Sequence, residues 1–133
     1  MIHVASVKKV DNSGYEIHTL RTADLSRDEL CKVVNEIKEL YLWFSPTSSG
    51  ADMRDRLLRH RNTHISILRN AENGACRGFS VYYTETFDGL RVIFRDGTIV
   101  RDRSRGLYKA LLQHSISPEC HDYFVAMTQN PRV

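Results

Sequence analysis

Thr98-Ile99-Val100-Arg101-Asp102-Arg103-Ser104-Arg105-Gly106-Leu107-Tyr108-Lys109-Ala110-Leu111-Leu112 reads as a β-branched strand end that passes through a basic, glycine-containing turn into an amphipathic helix. The first turn of a helix carries backbone N–H groups without intrahelical partners and the positive end of the macrodipole, so an anion docks there with little rearrangement. Arg101, Arg103 and Arg105 add charge-assisted donors suited to phosphate oxygens. Gly106 is where backbone can approach a ligand with no Cβ in the way. A solvated basic turn ahead of an ordinary helix has the same pattern, so the flanking elements must decide between the two.

Upstream of this turn the sequence has a period of two. His64 to Leu68, Gly78 to Glu85 and Leu90 to Arg95 read as successive strands separated by the turn dipeptides Asn73-Gly74 and Asp88-Gly89, which predicts an antiparallel meander. Asp96-Gly97 interrupts the last of these strands before Thr98-Ile99-Val100 resumes it, and a glycine inside a strand pattern marks a bulge or a close backbone approach. Downstream, Leu107, Ala110, Leu111 and His114 share one helical face, and Pro118 bounds that helix. Tyr123 to Thr128 is a continuous apolar run, as expected for a strand buried on both faces. A strand, helix, strand series of this kind implies parallel pairing of its two strands if they are neighbours.

The first half supplies a strand at Tyr15 to Leu20, paired in a hairpin with Ile2 to Val10 across the turn-prone Asp11 to Gly14. Ser26 and Glu29 form a capping box, Leu25 and Leu30 a hydrophobic staple. Leu30, Val33, Val34, Ile37, Tyr41 and Phe44 then recur at helical spacing until Ser45-Pro46. A shorter helix is expected over Ala51 to His60, with Met53, Leu57 and Leu58 inward. The order is β-α-α-β-β-β-α-β in a single domain spanning 1–133.

With 41% hydrophobic and 26% charged residues, the 133-residue chain has the composition of an ordinary globular domain, and a net charge of +3 demands neither nucleic acid nor membrane. Cys31, Cys76 and Cys120 are odd in number and widely spaced, which points away from a disulfide framework and toward a reducing, cytoplasmic setting. The N-terminus lacks the apolar core of a secretion signal.

Element order and turn together resemble the GNAT family of acyl-CoA-dependent N-acyltransferases over nearly the whole chain. Arg103-Ser104-Arg105-Gly106-Leu107-Tyr108 stands where that family has its coenzyme A pyrophosphate loop, Q/R-x-x-G-x-G/A, with Tyr108 departing from the usual Gly or Ala. Thr128-Gln129-Asn130 is similar to the family's signature for an asparagine that touches the pantetheine arm. The resemblance implies an α/β (α+β) fold with a mixed, mostly antiparallel central sheet flanked by helices. It also implies that the strand bulged at Gly97 splays from its parallel neighbour and grips the pantetheine arm by β-augmentation. Arg103, Ser104, Arg105, Gly106, Leu107 and Tyr108 are then expected at the coenzyme phosphates, and Val100, Arg101 and Asn130 at the pantetheine arm. The implied reaction moves an acetyl group from acetyl-CoA to an unidentified amine, with no metal. A catalytically silent module that binds CoA or a protein partner is the alternative. A nucleic-acid-binding role for Arg91 to Arg105 is disfavoured, and salt-dependent affinity would be its sign.

Holding a thioester against an amine is largely a proximity effect, which tolerates modest acid and base groups. Asp96 and Glu85 lie near the expected cleft, although carboxylates beside turns are most often solvated. His60 and His64 have an i, i+4 spacing but straddle a helix end and a strand start, which argues against a metal site. Cys120-His121 reads as a loop pair, Tyr41, Trp43 and Phe44 as core or rim packing, and one of Tyr82 and Tyr83 must face outward.

GNAT domains usually continue past this point with a helix and two strands, and the helix carries the family's frequent tyrosine acid. The sequence stops at Val133, which implies a shortened member, a fragment, or a protomer whose open sheet edge a second copy or another partner covers. On that reading Val125→Lys disrupts a dimer and the fold together.

Overall fold

The computed structural model describes residues 6–10, 13–45, 53–102, 106–116 and 122–126. β1 (Ser6–Val10) and β2 (Tyr15–Arg21) form the N-terminal hairpin, and a 3-10 turn at Thr22–Asp24 leads into α1 (Arg27–Phe44) and α2 (Met53–Leu58). β3 (Thr63–Asn70), β4 (Cys76–Phe87) and β5 (Leu90–Val100) follow as the meander, then α3 (Leu107–Ile116) and β6 (Tyr123–Ala126). The sheet order is β1-β2-β3-β4-β5-β6. Every pair is antiparallel except β5–β6, which the intervening helix makes parallel.

α1 begins where the sequence signals it. The Ser26 hydroxyl accepts from Glu29 N–H at 3.2 Å and the Glu29 carboxylate accepts from Ser26 N–H at 2.9 Å. Ser26→Ala is expected to lower stability by about 1 kcal/mol, read as a shift of the urea midpoint with an unchanged m-value. Val33, Ile37 and Leu40 project from α1 onto Leu20, Ile65, Ile67, Phe79, Val81 and Ile99 of the sheet, with Met53 and Leu57 of α2 completing this layer. Arg69 of β3 clamps α1 from the flank with paired bonds of 2.6 and 2.9 Å to Glu36. The opposite face of the sheet carries α3, whose Leu107 and Leu111 pack on Ile17 and Leu68. His114 continues that face and is buried, and burial, aided by Lys8, pushes its pKa down.

Three expectations need correction. Phe44, the last member of the expected apolar stripe of α1, is 62% exposed because it lies at the helix end. Leu58 is 53% exposed, not inward, because α2 ends there and the helix covers only part of 51–60. β6 is not a doubly buried strand: Tyr123 is 58% and Val125 41% exposed. An apolar run is buried on both faces only where neighbours and helices cover it, and β6 is the sheet's last strand, with β5 alone beside it among the described residues. Val125→Lys is therefore expected to leave thermal stability within about 0.5 kcal/mol of the parent.

Candidate functional site

The site is built on β5. Its pairing with β4 runs from Gly78↔Val100 to Val81↔Gly97 and then shifts to Tyr82↔Arg95, so Asp96 is the extra residue of a bulge at the predicted position. Gly97 has φ +147°, a conformation that side-chain-bearing residues rarely adopt. On the other edge of β5, the parallel ladder with β6 is described from Val92↔Tyr123 to Arg95↔Ala126, the last of these pairs lying one residue before the bulge. Thr98, Ile99 and Val100 lie beyond these pairs and have no β6 partner among the described residues. Gly78 lets β4 lie tight against this segment, since a Cβ there would stand 3.0 Å from the Ile99 carbonyl oxygen.

The strand end is held by a network that sequence reasoning did not find. Arg101 N–H donates to the Arg77 carbonyl at 2.9 Å. The Arg77 guanidinium donates to both Asp102 carboxylate oxygens at 2.6 and 3.0 Å, and the Tyr15 hydroxyl adds a third bond of 2.6 Å. Arg77 first, and Tyr15 with it, hold the Asp102 carboxyl below the usual carboxylate range. β2 and β4 therefore converge on the residue that opens the basic turn. Only the pairing register reveals this, because Tyr15 and Asp102 lie far apart in sequence.

At the far side of the turn, Gly106 has φ +67° and its carbonyl accepts from Ala110 N–H at 3.0 Å, which places it at the N-terminal cap of α3. A Cβ at Gly106 would meet none of the described atoms within 4 Å. Leu107 sends its side chain into the core and leaves only main chain for a ligand. Tyr108 is exposed, and its hydroxyl accepts from Arg95 at 2.7 Å with that guanidinium 5.9 Å from its ring centre. Its departure from the small residue of the motif thus gives the helix start a tie to the residue before the bulge. Val100 is half-buried and packs toward α3, again offering backbone. Arg101 lies over the Trp43 ring at 5.3 Å and joins the turn to the end of α1. Arg103, Ser104, Arg105 and Asn130 lie outside the described residues, as do Cys120 and His121.

On the α1/α2 face, at the inner end of the β5–β6 ladder, aromatic rings line up. Tyr83 opposes Phe94 in the β4–β5 register with ring centres 5.0 Å apart, and His60 stacks on Tyr83 at 3.6 Å. Phe87 meets Phe94 edge-on. Glu85 Oε1 lies 3.4 Å from His60 Nδ1. Burial, then Glu85 and Asp96, push the Tyr83 hydroxyl upward against the opposing effect of Arg59, which keeps it protonated at neutral pH. His64 faces the other side of the sheet, stacked 5.2 Å from Tyr82, so the two histidines do not converge. Among the described residues no group of three or more His, Cys, Asp or Glu could hold a metal ion. Cys31 and Cys76 are unbridged, and burial pushes the Cys76 thiol up to about 11, leaving it a poor nucleophile. A shallow hollow of about 530 Å³ between Ser13–Tyr15 and Asn70–Glu72 shares only Tyr15 with this site.

No family model matches the sequence, and no curated protein matches it. Solved structures do. A GNAT family acetyltransferase from Staphylococcus aureus aligns over 86% of this chain and 87% of its own at 17% identity, with a TM-score of 0.63. An aminoglycoside N-acetyltransferase in complex with CoA aligns over 93% and 83% at 17% identity, with a TM-score of 0.61. A ribosomal-protein-alanine N-acetyltransferase from Brucella melitensis aligns over 89% and 83% at 20% identity, also with a TM-score of 0.61. At this level of identity the likeness is one of fold: the chain is an α+β domain with the GNAT architecture, a six-stranded, mostly antiparallel sheet flanked by helices. No described helix is long and apolar enough to cross a membrane.

Proposed function

We propose that the chain is an acyl-CoA-dependent N-acetyltransferase that moves an acetyl group from acetyl-CoA to an amine. The observation that carries this reading is the Asp96-Gly97 bulge in β5, which lies between the described β5–β6 pairs and the strand end that leads toward the N-terminus of α3. The pantetheine arm lies along Thr98 to Arg101 as an added strand, with Asn130 contributing from beyond β6. The pyrophosphate sits on the N–H groups of Gly106, Leu107 and Tyr108, with Arg103, Ser104 and Arg105 in the preceding turn as charged and polar partners. The aminoglycoside enzyme of the same fold holds CoA, which supports the donor assignment.

Acetyl transfer is tested by incubating the chain with acetyl-CoA and two amines of the kinds that proteins of this fold acetylate, the aminoglycoside neamine and an alanine-terminated peptide. Mass spectrometry of the amine reads the product. CoA binding without product from either amine favours the silent module. The exposed apolar residues of β6 support pairing with a second copy or another partner along that edge, which light scattering tests.

A further inference from the structure

Three aromatic side chains, from the segment after α2, from β4 and from β5, stack in parallel beside the Asp96-Gly97 bulge, and the outermost of them is a histidine. His60 lies 3.6 Å from Tyr83 with its plane tilted by 9°, and Tyr83 lies 5.0 Å from Phe94 with a tilt of 13°. Glu85 faces His60 Nδ1 at 3.4 Å. Such a stack removes the rotational freedom that a histidine beyond the end of a short helix otherwise has. Tyr83 sets the ring plane, and Glu85 stands on the Nδ1 side of the ring, which leaves Nε2 on the side away from the carboxylate. The side chain of His60 keeps 26% of its surface exposed, so it is neither sealed in the core nor fully solvated. Phe94 lies two residues before the bulge at Asp96, so the stack stands next to the bulge.

From this geometry we infer that His60 is the proton acceptor for the incoming amine and that Glu85 is its positioning residue. The inference rests on the acetyltransferase reading above. His60 Nε2 takes one proton from the substrate ammonium and passes it to solvent. The freed amine forms the C–N bond at the thioester carbonyl. The electron pair of the breaking C–S bond leaves on sulfur, and the second nitrogen proton neutralises the thiolate to give the amide and CoA. Glu85 and Tyr83 of β4 stand against the imidazole, Arg59 precedes it in the chain, and Glu85, Asp96 and Arg59 all act electrostatically on the stacked Tyr83. Two carboxylates in this set favour an acceptor that arrives as a cation. Asp96 differs from His60 as a base because it is the bulge residue itself and has no ring stack to fix it.

The test compares the parent with His60→Gln and Glu85→Gln, using acetyl-CoA with neamine, an alanine-terminated peptide and hydroxylamine. Hydroxylamine is already unprotonated near neutral pH and needs no base, so it separates proton removal from positioning. His60→Gln is expected to lower kcat for the ammonium substrates by about 100-fold or more, to abolish the acid limb of their kcat/KM profile, and to leave hydroxylamine turnover and CoA affinity near parental values. Glu85→Gln is expected to lower kcat about 10-fold with KM and the acid limb retained, because the base itself is still present. Equal losses for all three nucleophiles in His60→Gln would overturn the inference, as would an unchanged acid limb. Failure of the parent to acetylate any of the three while binding CoA would overturn the acetyltransferase reading and this inference with it.

Discussion

Gly106→Asp is expected to weaken CoA binding by about 100-fold or more, since a carboxylate set against a diphosphate opposes it by several kcal/mol. The residue caps α3 at φ +67°, and on the proposed reading its main chain meets the phosphates. Space does not forbid the substitution, because a Cβ there meets none of the described atoms within 4 Å. Left-handed backbone costs a side-chain-bearing residue about 1 kcal/mol, and aspartate tolerates it better than most. Calorimetric titration with CoA, run beside a thermal melt, therefore separates the two effects: affinity collapses while the midpoint falls by only a few degrees. A folded variant that binds as well as the parent would remove the turn from the phosphate site.

Asp102→Ala acts on the same turn from its other end, and it acts on stability as well. The carboxylate receives Arg77 through both oxygens and the Tyr15 hydroxyl, so its removal strands two donors that β4 and β2 direct inward. The expected loss is about 2 to 3 kcal/mol in urea denaturation at neutral pH, in the range of hydrogen bonds to charged groups. The pH dependence follows from the depressed carboxyl. Because the folded state holds Asp102 below its ordinary value, the parent's advantage is present above the unfolded carboxylate range and disappears as pH falls through the folded-state value. Parent and variant stability curves should converge in acid. A gap that persists unchanged at low pH would mean that Asp102 contributes by packing. CoA affinity should fall alongside, because Arg101 and the turn after it lose their anchor on β4.

Much of this architecture could be read from local signals, and the reason is that local chemistry dictates it. The Ser26/Glu29 capping box, the turn dipeptides between β3, β4 and β5, and the glycine after Asp96 each specify backbone geometry within a few residues. What stayed hidden depends on register across strands. Tyr15, Arg77 and Asp102 meet only because β2, β3, β4 and β5 pair as they do. The same holds for the hydroxyl row of Thr19, Ser66, Ser80 and Thr98, the first three buried and the last half-buried, paired strand to strand across the α3 face with bonds of 3.0 and 2.9 Å at its two ends. His60 looked unpromising as one half of an i, i+4 pair. Its partners are Tyr83 and Glu85, and no spacing rule links a residue past α2 to β4. The apolar run of β6 misled for the opposite reason, since hydrophobicity alone does not reveal whether a strand has neighbours.

Calorimetric titration of the purified chain with CoA tests the central claim most directly. The account predicts saturable binding at one site, and at CoA concentrations of about 100 times Kd a gain of about 2.7 kcal/mol in folding stability, with dephospho-CoA also binding and pantetheine alone far weaker because it lacks the diphosphate. No heat and no thermal shift at saturating CoA, from a chain that melts cooperatively, would contradict it.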